Sequence, residues 1–252
     1  MITEKITSEK MTEGQQTQIR RVLEDGLRSV DLGALGFSKD ESQKILEKGD
    51  LVQSEAREAI VKILQRYSGT YSEAREDWQK FYKTHFNWDV DFSTLILPPC
   101  PGEGWRLILV AKGMTMNKAF DRCKALFKSW RYNDNLDKAI PTNVRTANQH
   151  YAVWVRTGAE PDAEFLGKST NQVDPTMKLG MTLLERIILE IKYFSETGSH
   201  LDIKGVTFCS GSRDSDGNVP SARWYGDDEF GVDWYYLGDS DSGRGIRQAV
   251  AL

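Results

Sequence analysis

Few residues in this chain have the types and spacing that acid–base or metal chemistry requires. The three histidines, His85, His150 and His200, lie far apart in the sequence, and none has a partner at metal-ligand spacing. The triplet at 238–240 (Gly-Asp-Ser) contains a serine, but no nucleophile-elbow pattern surrounds it. Neither standard type of phosphate-binding glycine loop is present. Because an active site needs several convergent polar groups, the sequence predicts that the protein is not an enzyme.

One acidic loop has the oxygen ligands that a hard cation prefers. Asp214, Asp216 and Asn218 alternate along it, as ligands of Ca²⁺ do. The EF-hand pattern fails, because its sixth position is Val219 rather than Gly and its twelfth is Tyr225 rather than Glu. Asp, Asn, Ser and Gly also favour turns between strands, so an Asx-type turn is the preferred interpretation and calcium the alternative. We expect no other cofactor.

The C-terminal segment has the composition of a binding surface. Trp224, Tyr225, Trp234, Tyr235 and Tyr236 lie within thirteen residues, among aspartates and glycines. Tyrosine with Ser, Gly, Asn and Asp is typical of antibody paratopes, since Tyr offers a large contact area at low entropic cost. Side chains alternate between the two faces of a strand, which places Tyr225 and Tyr235 opposite the tryptophans. We therefore expect the tryptophans to hold the sheet and the tyrosines to meet a partner.

Charge placement argues against a nucleic-acid partner. The net charge is −4, and no lysine follows Lys204. Beyond Lys204, eight acidic residues face four arginines, so this tail alone accounts for the net charge. An acidic, lysine-free surface is a poor docking site for phosphate backbones.

Cysteine use and hydropathy favour the cytoplasm by default. Cys100, Cys123 and Cys209 are odd in number and widely spaced, which predicts isolated thiols rather than a disulfide framework or a zinc site. Residues 1–10 lack the apolar segment of a signal peptide, and no apolar run approaches the length of a membrane span.

The first part of the chain is predicted to be helical. Apolar residues recur at helical spacing between Gln15 and Val30. Ser38 and Glu41 form a capping-box signature for a short second helix, and two further helices are predicted after Ser54 and from Ser72. The proline-rich segment 98–102 then interrupts regular structure. The predicted division is a helical N-terminal unit over 1–97, with 1–13 disordered, and a second domain over 98–252.

The second domain is predicted to be of the α+β class. Strands and helices alternate at first, and only strand-like segments follow Gly198, which rules out a parallel βαβ repeat. The predicted elements are strand 105–111, helix 114–130, strand 150–156, helix 182–194, and strands 206–209, 222–225, 231–236 and 245–252.

A resemblance to a known family rests on three parts of this domain. The segment 209–213 (Cys-Ser-Gly-Ser-Arg), Trp224 and the closing segment 245–252 (Gly-Ile-Arg-Gln-Ala-Val-Ala-Leu) resemble the variable proteins of diversity-generating retroelements. Those proteins have a C-type lectin fold and are related to formylglycine-generating enzymes. The resemblance implies a C-type-lectin-like domain, with two helices packed on a small, mostly antiparallel sheet, preceded by the helical N-terminal unit.

The resemblance also implies a function. In that family, mutagenesis at adenines rewrites C-terminal codons, and the altered side chains bind a ligand on a fixed scaffold. An Asn codon reaches Asp, Ser, Gly, Tyr and Arg by such changes but never Trp, Glu or Lys, in agreement with the lysine-free tail. Carbohydrate binding is not implied, because residues 219–221 read Val-Pro-Ser rather than Glu-Pro-Asn. The paired active-site cysteines of formylglycine-generating enzymes are also missing, since only Cys209 stands in this region.

We therefore expect a ligand-binding protein whose partner is a protein or another macromolecule. The expected contact residues are Asp214, Ser221, Arg223, Tyr225, Asp227, Asp228, Asp233, Tyr235, Tyr236, Asp239, Asp241 and Ser242. The expected scaffold residues are Trp224, Trp234, Gly245, Ile246 and Arg247.

Two alternatives remain open. One is a metal-dependent enzyme on the same fold that uses the acidic loop at 214–218. The other is a regulatory or interaction module that acts through the N-terminal helices, although Glu55 and Glu58 would place acidic groups against the phosphates in a helix-turn-helix. The sequence leaves the ligand, the oligomeric state and the role of the N-terminal helices undetermined.

Overall fold

The structure, a computed structural model, describes residues 12–67, 71–226 and 228–251. The chain is α+β, as predicted, and divides into two compact units between Tyr71 and Ser72. Of the segment predicted to be disordered, residues 1–11 lie outside the described residues, and Thr12 is already the N-cap of the first helix. No described helix has the length and apolar character to cross a membrane.

The first unit consists of helices α1 (Glu13–Arg28), α2 (Lys39–Glu47) and α3 (Gly49–Tyr67). The predicted capping box of α2 is confirmed: the Ser38 hydroxyl accepts from the Glu41 amide at 3.2 Å, and the Glu41 carboxylate accepts from the Ser38 amide at 2.9 Å. Such caps satisfy backbone donors that the first helical turn leaves unpaired. Among the described side chains of residues 12–64, none is buried. The described side chains of these helices therefore include no buried core.

Helix α4 (Ser72–Phe86) belongs to the second unit. Its residues Trp78, Phe81 and Tyr82 are buried. The Tyr82 hydroxyl donates to the carbonyl oxygen of Leu109 at 2.9 Å and accepts from the amide of Ala111 at 3.0 Å. The division of the chain thus precedes α4, whereas the sequence placed it at the proline-rich segment after residue 97. Proline marks the loop that follows the helix, but aromatic packing ties α4 to the sheet beyond that loop.

The second unit contains three sheets in its described residues, and most of their strand pairs are antiparallel. The strand orders are β1-β4-β10, β2-β8-β7-β5-β9 and β3-β6. After α4 the elements are β1 (Trp105–Val110), α5 (Met116–Leu126), β2 (Ser129–Arg131), α6 (Leu136–Ala139), β3 (Thr142–Asn143), β4 (Tyr151–Arg156), α7 (Thr170–Val173), α8 (Leu183–Thr197), β5 (Val206–Phe208), β6 (Ser212–Arg213), β7 (Val219–Tyr225), β8 (Glu229–Tyr235), β9 (Arg244–Ile246) and β10 (Ala249–Val250).

Helix α8 is the central helix of the second unit. A capping box of Thr182 and Glu185 begins it, and Gly198 ends it in the left-handed conformation with φ 68°. Every residue from Leu183 to Lys192 is buried, the charged ones included. The predicted wide apolar stripe therefore understates the burial, because the polar face of α8 is covered as well.

Strand β2 corrects the predicted helix over 114–130. Helix α5 ends at Leu126, and Phe127 adopts an extended backbone. The Phe127 ring packs edge-on against Phe194 and Phe230, with ring centroids 5.1 and 6.0 Å apart. The chain then runs parallel to β8, with Trp130 opposite Gly231. Tertiary packing of Phe127 thus overrides the helical periodicity, and it brings Trp130 onto the large sheet.

Candidate functional site

Strands β7 and β8 form the hairpin that carries most of the predicted contact residues. Ser221 lies opposite Asp233, Arg223 opposite Gly231, and Val219 opposite Tyr235. Because side chains alternate, these residues and Tyr225 share one face of the hairpin, which we call the outer face. On it Val219, Ser221 and Gly231 are buried, whereas the other residues are partly exposed. Trp224 and Trp234 lie on the other, inner face.

The inner face packs against the helices of the second unit. Phe230 and Val232 are fully buried there, and the Phe230 ring lies 6.3 Å from that of Phe120 on α5. Trp224 is half-buried and stacks on the imidazole of His200, with 3.3 Å between ring centroids and 10° between the planes. Burial of these aromatic rings fixes the hairpin on the helices, so that the outer face is held by a packed layer beneath it.

Gly231 leaves room on the outer face for two aromatic rings. A Cβ at this position would lie 2.3 Å from Cε2 of Tyr225 and 2.7 Å from Nε1 of Trp130. The Trp130 and Tyr225 rings are 5.6 Å apart between centroids. The absence of a side chain at Gly231 therefore lets rings from β2 and β7 lie over strand β8.

Two arginines lie over tyrosine rings on the same face. The guanidinium carbon of Arg223 is 4.8 Å from the Tyr225 ring centroid, and that of Arg244 is 4.3 Å from the centroid of Tyr235. Arg244 also pairs with Asp241 at 2.8 Å. Within the described part of the chain, Arg223 has no carboxylate at salt-bridge distance. Its guanidinium is thus oriented by an aromatic ring and keeps donors for a carboxylate of a partner.

Tyr132 and Asp233 add polar groups to the outer face. Burial, together with the nearby carboxylates of Asp214, Asp233 and Asp216, raises the pKa of Tyr132 to about 12. The phenol is therefore a neutral hydrogen-bond donor at physiological pH. Its buried hydroxyl has no hydrogen-bond partner among the described residues. A buried donor without a partner is costly, and a ligand oxygen would satisfy it.

Tyr235 and Tyr236 differ in exposure. Tyr235 packs on a small core of Phe208, Val219 and Ile246, with its ring 5.4 Å from that of Phe208. Tyr236 follows the strand, is 62% exposed, and meets Trp234 edge-on at 5.3 Å. Of the three predicted tyrosine anchors, Tyr235 is the one fixed against a core and Tyr236 the one most accessible.

The remaining predicted contact residues belong to loops. Asp228 is exposed in the turn between β7 and β8, with φ 59°, and Asp227 lies outside the described residues. The Asp239 carboxylate accepts from the Tyr236 amide at 3.1 Å, and that of Asp241 accepts from the Gly243 amide at 2.9 Å. Ser242 is exposed. Asp239 and Asp241 thus shape their own turns beside the outer face.

The structure removes Asp214 and Ser221 from the exposed surface. Ser221 is 2% exposed and Asp214 is 8% exposed. One Asp214 oxygen accepts from the amides of Asp216 and Asn218, and the other accepts from the Asn218 side chain. Both residues were predicted as contacts because their types fit a polar surface, but the loop folds back on the Asp214 carboxylate. This is the Asx-type turn that the sequence favoured over a calcium site.

The predicted scaffold residues at the C-terminus are buried. Arg247 is fully buried, donates to the carbonyl oxygens of Gly158 and Ala159, and pairs with Asp202 at 2.6 Å. Gly245 is closely packed, since a Cβ there would lie 3.2 Å from the Phe165 carbonyl oxygen, closer than most Cβ contacts. Ile246 belongs to the small core beneath Tyr235.

Arg247 is part of a buried ionic network. Asp202 also accepts from Nε of Arg186 at 2.9 Å, and Arg186 donates to Glu190 at 2.7 Å. Burial opposes the ionisation of Asp202, but Arg247 and Arg186 outweigh it and lower the pKa of the carboxyl. Glu190 in turn pairs with His200, on which Trp224 stacks. The network thus connects the C-terminal strand to the inner face of the hairpin.

The histidines have local structural partners. His150 Nδ1 accepts from the Lys112 amide at 2.9 Å, and His85 Nδ1 lies 3.4 Å from Nε of Arg122. Burial, helped by Arg122 and Lys192, lowers the pKa of His85 to about 4. Among the described residues, no group of three or more His, Cys, Asp or Glu side chains has the arrangement of a metal site.

Sequence reasoning missed Trp130 and Tyr132 as members of the site. Both residues are missed because the helix predicted over 114–130 includes Trp130 and ends just before Tyr132. The available signal was alternation: Trp130 and Tyr132 are aromatic residues two positions apart, which is strand spacing. The preceding Phe127, at the end of the helical stripe, gives no sign of the break in sequence alone.

Comparisons with protein-family models, with curated proteins and with solved structures yield no match for this chain.

Proposed function

We propose that the second unit is a C-type-lectin-like binding domain and that the outer face of its hairpin binds a protein partner. The observation that supports this most is the set of rings and charges on that face: Trp130, Tyr225 and Tyr235 with Arg223, Arg244 and Asp233. Aromatic residues and arginine are the side chains that dominate binding energy at protein interfaces. They stand on strands rather than loops, so a partner meets a preorganised surface.

We further propose that this surface is diversified by a retroelement, as in the variable proteins that the sequence resembles. The arrangement fits that proposal because residues of types that adenine mutagenesis of an Asn codon can produce (Arg, Tyr, Asp) lie on the outer face. Trp224 and Trp234, of a type that it cannot produce, lie on the inner face. The DNA beside the gene tests it. We expect a reverse transcriptase gene and a near-copy of the C-terminal coding segment that differs at adenines. A neighbourhood with neither would refute diversification, though not binding.

Binding itself is tested with matched tyrosine variants. The immobilised full-length protein is used to select binders from a displayed library of proteins, and the Kd of a selected binder is then measured. Tyr225→Ala is expected to weaken binding by about 30-fold, because a central aromatic anchor contributes roughly 2 kcal/mol or more. The control is Tyr193→Ala on α8, which removes a tyrosine that also lies beneath an arginine, Arg106, but does not belong to the strands of the outer face.

The control is expected to change Kd less than threefold. Equal affinities for the wild-type protein and the Tyr225→Ala variant would show that the outer face is not the binding surface.

The metal-dependent enzyme receives no support from the acidic loop. Both carboxylate oxygens of Asp214 accept hydrogen bonds from within that loop, so a cation would have to displace them. Calorimetric titration with Ca²⁺ is expected to give no micromolar binding. Micromolar affinity that is lost in Asp216→Asn would reinstate the metal site.

A further inference from the structure

The first unit exposes an unusual amount of apolar surface. Of the sixteen large hydrophobic side chains that are exposed in the described residues, thirteen belong to this unit and only Val144, Ile203 and Tyr236 to the second. Several are more than two-thirds exposed. The thirteen are Val22, Leu27, Val30, Leu32, Leu35, Phe37, Ile45, Leu46, Leu51, Val52, Ile60, Ile63 and Leu64.

Helices with so much exposed apolar surface need a partner that buries it. Isolated helices shorter than about 12–15 residues are marginal in water, and α2 has only nine. For the longer α1 and α3 as well, most helical stability in proteins comes from burial of an apolar face. Capping boxes define the starts of α1 and α2, but caps contribute only about 1 kcal/mol each. A large exposed apolar patch on a protein marks an interaction site. Among the described side chains of the first unit, none supplies the buried apolar contacts that would stabilise its helices.

The spacing of apolar residues on α3 fits packing against a second copy of the same helix. Val52, Ala56, Ala59 and Ile63 are separated by four, three and four residues, which is the spacing of a coiled-coil seam. Ala56 and Ala59 are exposed, and their small side chains would let a partner helix approach closely. Ile60 extends the same stripe.

The charge of the unit also fits a second copy. Residues 12–67 contain ten acidic and nine basic side chains, which leaves a formal charge of −1. Two such units attract or repel each other very little through net charge, so apolar burial decides the association. A nucleic-acid partner would instead require an excess of basic groups.

From these observations we infer that the first unit is a self-association module. The apolar faces of α1, α2 and α3 pack against the same faces of a second copy of the chain, with the α3 stripe at the centre. This function is independent of the outer face of the hairpin, because the residues involved belong to a different unit.

The test is the mass of the full-length protein in solution. Sedimentation velocity at micromolar concentration is expected to give at least twice the 28.6 kDa of one chain. The double variant Ile60→Glu/Ile63→Glu places two charges on the stripe and is expected to sediment as a single chain. The control, Ile203→Glu, changes an exposed isoleucine of the second unit and is expected to keep the wild-type mass.

Folding of the two units is followed separately. All seven tryptophans lie at or beyond residue 78, so tryptophan emission reports the second unit and is expected to be unchanged in the double variant. Far-ultraviolet circular dichroism is expected to show a loss of helix in the same sample. A wild-type protein that sediments as a single chain would overturn the inference. So would a double variant that keeps the wild-type mass, or a control that loses it.

Discussion

The two units of this protein use the same local signals and reach opposite outcomes. Capping boxes begin α1, α2 and α8 alike. In the first unit no described side chain is buried, whereas in α8 ten consecutive residues are. Caps and periodicity thus specify where a helix lies, but burial decides whether it is stable alone. The second unit has the packed core that the proposed binding surface requires, whereas we infer that the apolar faces of the first are buried by another copy of the chain.

The largest expected effect concerns the ionic network of the second unit. Arg247→Met removes a fully buried guanidinium from Asp202 and from two carbonyl oxygens. Breaking a buried pair leaves groups without compensation, so we expect a loss of about 3–5 kcal/mol in the free energy of unfolding. Urea unfolding followed by tryptophan emission measures it. Arg244→Met, which breaks the partly exposed pair with Asp241, should cost less than about 1 kcal/mol. Similar losses in both would mean that the network is not the anchor of the C-terminal strand.

The second largest effect is expected when the space over strand β8 at Gly231 is filled. Gly231→Ala forces the rings of Tyr225 and Trp130 apart, and overpacking of this kind costs about 1–3 kcal/mol. The same variant should weaken partner binding, since both rings belong to the proposed surface. Gly238→Ala is the control, because a Cβ there has no heavy atom within 4 Å. Urea unfolding should leave Gly238→Ala within about 0.5 kcal/mol of the wild-type protein. A Gly231→Ala variant with wild-type stability and binding would show that the Trp130 and Tyr225 rings are not part of the binding surface.

The smallest effect is a dependence of stability on pH that comes from histidines, all three of which lie in the second unit. His85 takes up its proton at about pH 4 in the native state, because burial lowers its pKa from the ordinary 6.5. Between these values the unfolded chain binds more protons, so the stability of the second unit falls as the pH falls. His85→Gln should flatten this part of the pH profile of the urea midpoint. His150→Gln should flatten it less, since its pKa is lowered to a smaller extent. An unchanged profile in His85→Gln would exclude His85 as the source.

Much of the fold was predictable from sequence because its signals are local. The capping box at Ser38 and the helix that follows Thr182 were read from residues three or four positions apart. The alternation that separates Tyr225 from Trp224 is equally local, and the hairpin register agrees with it. These features need no knowledge of which elements meet.

The features that the sequence did not reveal depend on distant contacts. Strand β2 exists because Phe127 packs against Phe194 and Phe230, and Trp130 enters the site only as a result. The pairing of Arg247 with Asp202 joins residues forty-five positions apart. Asp214 and Ser221 have surface-type side chains, and only the folded loop and sheet show that they are buried. Composition therefore indicates which polar residues could form a site, but it does not show whether they are exposed.

In the proposed function, the outer face binds and varies while the inner face and the C-terminal strand are fixed. The most direct measurement is the sequence of codons 219–250 in many independent descendants of one clone. We predict substitutions at the outer-face codons of Arg223, Tyr225, Asp233 and Tyr235, and none at those of Trp224, Trp234 and Arg247. Substitutions spread evenly over both sets, or an invariant segment, would contradict the claim.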